Sequence, residues 1–183
     1  INGTLNIQNF NGHNFGTVTG TGKLYLTPNG SNQYTFPGGN FAAFVNAGGG
    51  TVEYYNNGAA ALLPTQATYN NIAFSGSGIK NLANTDLLIN GNLDIQAGAM
   101  VNASNKNVNL KGNFNNTPGI SGFQQGTGVL SLSGAAQSIS GATQFYRLTV
   151  NGAGVKTLNT SVDVSNQLTL TTGVISTGLN QLN

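Results

Sequence analysis

The chain has no cysteine and no tryptophan, and only one methionine and one histidine. Without cysteine there is neither a disulfide nor a thiolate metal site. The lone histidine, His13, sits in the turn-like NGHNFG, and no histidine follows it, so a G-x-S-x-G element with a downstream acid and base cannot be assembled. Charge is scarce too: 5% of residues are Asp, Glu, Lys or Arg, against ~25% in an average soluble domain. The six cations (Lys23, Lys80, Lys106, Lys111, Arg147, Lys156) are scattered singly, without the clusters that neutralise several phosphates, which argues against a nucleic-acid partner. Asp-rich calcium nonapeptides are absent, and nothing calls for a cofactor or a metal. No apolar run approaches the ~20 residues of a membrane span. The opening INGTLNIQNF has neither the basic start nor the apolar stretch of a signal peptide.

What the chain does have is 29 Asn and 27 Gly, with enough apolar residues to fill a core. Asn and Gly tolerate positive φ and close tight turns, so this composition suits many corners and few helices. Between the corners, short runs alternate apolar and polar: LNI, LYL, VEY, IAF, LDI, VNL, LSL, LTV and LTL. That is the period of strands. The markers Leu5, Leu24, Val52, Ile72, Leu93, Leu110, Leu130, Leu148 and Leu168 are separated by steps of 19, 28, 20, 21, 17, 20, 18 and 20 residues. A period near 20 without helices predicts an all-β parallel β-helix, a β-solenoid of about nine coils or ~43 Å at ~4.8 Å each, with Asn ladders at the corners. A sandwich or barrel is the rival. It is disfavoured because phrases recur, GTGKLYL at 20–26 against GTGVLSL at 126–132. The 28-residue step holds FPGGNFAAFVNAGGG, read as an enlarged coil or a loop bulging from one corner, with Phe41 and Phe44 filling the core and a ligand-binding loop as the alternative.

The longest echo is YNNIAFSGSGIKNL at 69–82 against FYRLTVNGAGVKTL at 145–158. From Tyr69 to Phe145 the chain advances about four coils at roughly 20 residues each. Ile72, Phe74, Leu148 and Val150 read as core rungs, the glycines as corners, and Lys80 and Lys156 as matching surface marks. INGTLNIQNF likewise resembles INGNLDIQAG at 89–98, so the expectation is one solenoid segment of a longer chain, with 1–47 divergent and 48–183 carrying the clearer ~76-residue repeats.

Chemistry is harder to find. Asp86 and Asp163 hold nearly corresponding places in the two long repeats, but four coils would separate them by roughly 19 Å, too far for a glycosidase pair. Asp86 and Asp94 read as solvated, outward positions. GSG at 76–78 and GAG at 152–154 lack the Lys-Ser/Thr ending of a phosphate loop. Tyr54 and Tyr55 are candidates for glycan contact, and strand alternation allows at most one of them to face outward.

The order GGTVEYY, YNNIAF or FYRLTV, G-x-K-x-L, LLINGNLDIQAGAMV and VNLKGNF resembles the repetitive β-helical regions of very large surface adhesins of Bacteroidota. The resemblance implies export by type IX secretion and, in the gliding adhesins, a role in motility. It implies an extracellular, cell-surface location, a non-catalytic role as a rod for attachment or gliding, and partners among extracellular surfaces or glycans, secretion or motility machinery and neighbouring segments of the same chain. No functional residue is carried over. The alternatives are a polysaccharide-acting β-helix enzyme and a non-catalytic carbohydrate-binding module.

Overall fold

The computed structural model describes residues 1–8, 12–64, 66–83 and 85–183. Its strands wind as a succession of short rungs into a β-solenoid, every pairing among the described residues parallel. Three faces share the coil. The longest stacks nine strands: Thr4–Gln8, Lys23–Leu26, Thr51–Tyr55, Asn71–Ser75, Leu93–Ile95, Phe114–Asn116, Gln137–Ser140, Val155–Leu158 and Val174–Ser176. A second stacks six, from Thr68–Tyr69 to Val162–Leu170, and a third stacks four, Ala61–Leu62, Ile79–Asn81, Met100–Asn102 and Phe123–Gln124. Nine strands on one face enclose eight turns, about 38 Å of rod at ~4.8 Å per turn.

Register explains the spacing read from the sequence. On the nine-stranded face, Leu5, Leu24, Val52, Ile72, Leu93, Phe114, Ile139 and Leu158 stand in line. The markers Leu110, Leu130, Leu148 and Leu168 belong to the six-stranded face instead. The shortest step, from Leu93 to Leu110, is therefore where the markers change face. The same holds for the long echo. Ile72 and Phe74 lie on the nine-stranded face and Leu148 and Val150 on the six-stranded one, so the two copies are not separated by a whole number of turns. What repeats is a corner with its two flanking rungs, used at two different edges of the rod.

Alternation decides what is inside. Ile72, Phe74, Ile89, Leu93, Ile95, Leu110, Leu148 and Val150 are buried, with most of the polar residues between them turned outward. Rings extend the stack: Tyr54 lies over Phe74 with centroids 6.1 Å apart, and Phe114 meets Phe123 and Phe145 edge-on at 5.3 Å each. Corners are ordered by the expected amide ladder. Asn71 Oδ1 accepts the Asn92 N–H, Asn92 Oδ1 the Asn113 N–H, and Asn113 Oδ1 the Ser138 N–H, at 2.8, 2.8 and 2.9 Å. Coils also approach so closely that Gly141, at φ +89°, has no room for a Cβ against the Asn116 carbonyl of the preceding turn.

The enlarged step is a built insertion. Its strand Gly38–Asn40 pairs with Asn14–Thr17, and Gln33 bridges Leu62, so the loop prolongs the four-stranded face toward the N-terminus. The short helix Ala42–Val45 seats Phe44 in the core, where Phe41 packs edge-on against Phe36 and Phe44. Phe41 and Phe44 thus fill the core, as their flanking glycines suggested.

Candidate functional site

Tyr54 and Tyr55 part company. Tyr54 is completely buried, its hydroxyl 2.8 Å from that of Tyr69. Burial, followed by the nearby Tyr69, pushes its pKa well up. A sugar cannot reach it, so its assignment as a glycan contact is corrected. Tyr55 lies on the outer side, half-buried, and pairs with Tyr25 at a centroid distance of 5.6 Å. Tyr25 escaped sequence reading because only the register with Glu53 and the ring contact with Tyr55 reveal that the two share a face.

Lys80 and Lys156 also depart from expectation. Both are fully buried, not surface marks. Each follows a glycine corner whose carbonyls turn inward, and the lysine supplies the donors they need. Lys80 Nζ donates to the carbonyls of Gly78 at 2.8 Å and Asn56 at 3.2 Å. Lys156 Nζ sits among four carbonyls, of Ala135, Gly134, Gly152 and Ala153, at 2.6 to 3.1 Å. Burial lowers both pKa values, that of Lys80 to about 8. The paired residue one turn before Lys156 is Gln137, which does the same work with an amide, donating to the carbonyls of Leu110 and Gly112.

The carboxylates are mostly engaged in structure. Asp86 accepts the backbone and side-chain amides of Asn107, which lowers its pKa, and Asp163 accepts from Asn183. Asp86 is thus a ladder residue at a corner. Glu53 and Asp94 flank Ala73 in one outward row of the nine-stranded face, two rungs or about 9.6 Å apart in backbone spacing. Sequence reading never paired them, since they lie on different coils and only the register unites them. Glu53 is only 5% exposed, held by Lys23 Nζ at 2.5 Å and by the Ser75 hydroxyl at 2.6 Å.

Two concavities stand out among the described residues. The larger, about 320 Å³, lies on the nine-stranded face, floored by Ala73 and walled by Lys23, Thr51, Asn71, Asp94 and Asn115. The smaller, about 270 Å³, lies where the four-stranded face stops after Phe123–Gln124. Among the described residues no group of three or more His, Cys, Asp or Glu is placed to hold a metal ion. No family model matches the chain, and neither the curated proteins nor the solved structures contain a match.

Proposed function

We propose that this solenoid is a structural and adhesive segment, a non-catalytic rod serving attachment at a cell surface. The observation that supports it is where the few charges go. Lys80 and Lys156 are consumed inside the rod and Glu53 is clamped by Lys23, which leaves an exterior mostly of amides, hydroxyls and glycine. Such a surface meets glycans or solids through many neutral hydrogen bonds, and its parallel ladders run along the rod to bear load. The extracellular setting and the kinship with exported gliding adhesins belong to the same proposal, supported by the repeated phrases.

The test is adhesion of the purified rod to glycan-coated and bare surfaces across ionic strength. Binding should change by less than about twofold up to ~1 M salt, where the Debye length is only ~3 Å. A steep fall with salt would refute neutral adhesion. A polysaccharide-acting β-helix is the second reading, favoured by the Glu53 and Asp94 row, whose backbone spacing borders on the ~6.5–9.5 Å of inverting pairs. Release of reducing ends from a polysaccharide panel, lost in Glu53→Gln, would establish it. The inaccessibility of Glu53 speaks for the rod.

A further inference from the structure

The six-stranded face carries an irregularity that the rod does not need. From Ala61–Leu62 to Phe123–Gln124 each coil contributes a strand to the four-stranded face, and beyond it the chain passes from Gln137–Ser140 directly into the long strand Thr143–Val150. The missing strand leaves a step in the rod. Beside it, the pairing of Thr143–Val150 with Val162–Leu170 slips: Phe145 pairs with Val164 but Arg147 with Gln167, so Tyr146 stands against two residues, Ser165 and Asn166. A bulge of this kind re-aims side chains, and here it presents the Tyr146 ring to the step.

We infer that this step is a binding site for one neutral pyranose ring of a glycan, with Tyr146 as its stacking platform. Its lining contains no charged side chain: Ile120, Phe123, Gln124, Gln144, Tyr146 and Ser165 surround the cavity, together with Gln125 and Gly126. Amides and a hydroxyl beside an aromatic ring and an exposed isoleucine match the alternation of hydroxyl edge and apolar face on a sugar. They offer no opposite charge to a phosphate, a uronate or a cation, whose desolvation would go uncompensated. The volume of about 270 Å³, just below the ~300–1,000 Å³ of small-molecule pockets, suits one ring.

The site is held rigid before any ligand arrives. Buried Gln125 accepts the Tyr146 N–H at 2.7 Å and donates to the Arg147 carbonyl at 2.8 Å and the Gly128 carbonyl at 3.0 Å, gripping the platform's backbone on both sides. Gln124 and Gln144 are exposed, and no hydrogen bond of their side-chain amides occurs among the described residues. A fixed backbone under the Tyr146 ring reduces the entropy lost on binding, and the free Gln124 and Gln144 amides are available to a ligand. Addition of an extended peptide strand is the weaker occupant, because the open edge is only two residues long.

The site rests on the adhesive reading for its use, not for its binding, so the two are tested apart. The intact chain is titrated, with backbone amides followed by NMR, against methyl glycosides of glucose, galactose, mannose and N-acetylglucosamine and against short oligomers of each. Saturable shifts at Gln124, Gln144, Tyr146 and Ser165 are expected with at least one of them. Tyr146→Ala should weaken that binding about tenfold and Tyr146→Phe much less. Circular dichroism checks that both variants, altered at an exposed position, keep the fold. No saturation at this site with any of the neutral sugars, equal binding of a uronic acid, shifts centred on Ala73 instead, or an unchanged affinity in Tyr146→Ala would each overturn the proposal. Sugar binding without surface adhesion would refute the rod's role and keep the site; adhesion without sugar binding would do the reverse.

Discussion

A lysine inside an almost uncharged rod is the residue that most needs a physical account. Corner glycines let the chain turn, but they aim carbonyls inward, where water cannot satisfy them. Lys156 lies within reach of four of these and shares its three N–H donors among them. Lys156→Met keeps the length and loses the donors, so it should destabilise the fold by about 2–3 kcal/mol, read as a lower denaturant midpoint. The charge itself works against stability. With the Lys80 pKa lowered by burial from its ordinary 10.5 to about 8, the unfolded chain holds a proton that the folded chain has released between those values, so stability rises with pH across that window. Tyr54 and Tyr69 act the other way. Burial raises their pKa values, the folded state keeps their protons longer, and stability falls above pH ~10. Urea midpoints should climb from pH ~8 to a maximum near ~10 and then drop, and Lys80→Met should flatten the climb. A midpoint that falls from about pH 8 onward in the parent chain would contradict this assignment.

At the level of the element, the unit of this structure is a rung, a corner and the next rung. The Asn71, Asn92 and Asn113 ladder ties that unit to its neighbours through hydrogen bonds of 2.8 to 2.9 Å. Asn92→Ala removes the acceptor for Asn113 N–H and should cost about 1 kcal/mol, with faster hydrogen exchange confined to Asn113. Short alternating strings such as LDI and VNL made the rungs legible, because period 2 with flanking Gly and Asn has few other meanings. Which face each rung occupies was not legible. Leu93 opens LDI and Leu130 opens LSL, two triplets of the same pattern, yet they belong to different faces. Lys80 misled for a related reason: in I-K-N the lysine holds the polar place of the alternation, and at this corner that place points inward. Sequence alternation gives two sides of a strand but does not say which one the coil encloses.

For the molecule as a whole, the ends of the stack matter most. Thr4–Gln8 and Val174–Ser176 are the outermost strands of the nine-stranded face. Near the latter, Leu170, Val174 and Leu179 are 56%, 59% and 104% exposed. Open parallel edges beside apolar side chains invite end-to-end stacking, which is heterologous and does not close. The isolated chain should form elongated, concentration-dependent species in sedimentation velocity, and Val174→Lys should suppress them. A concentration-independent monomer would show that these edges are protected.

The solenoid architecture follows from local pattern alone: Gly and Asn at regular intervals around alternating triplets leave parallel stacking as the way to bury each triplet's apolar side while pairing its backbone. The core placement of Phe41 and Phe44 follows from the same pattern. Which outward residues become neighbours is settled only in three dimensions, because lateral register joins positions that lie a coil or more apart along the chain. It brought Tyr25 to Tyr55, set Glu53 and Asp94 across Ala73, enclosed Lys80 and Lys156, and exposed Tyr146 at the step where one face ends. Local pattern governs what a strand does; the stagger between coils, fixed by insertions and bulges elsewhere in the chain, governs what it meets.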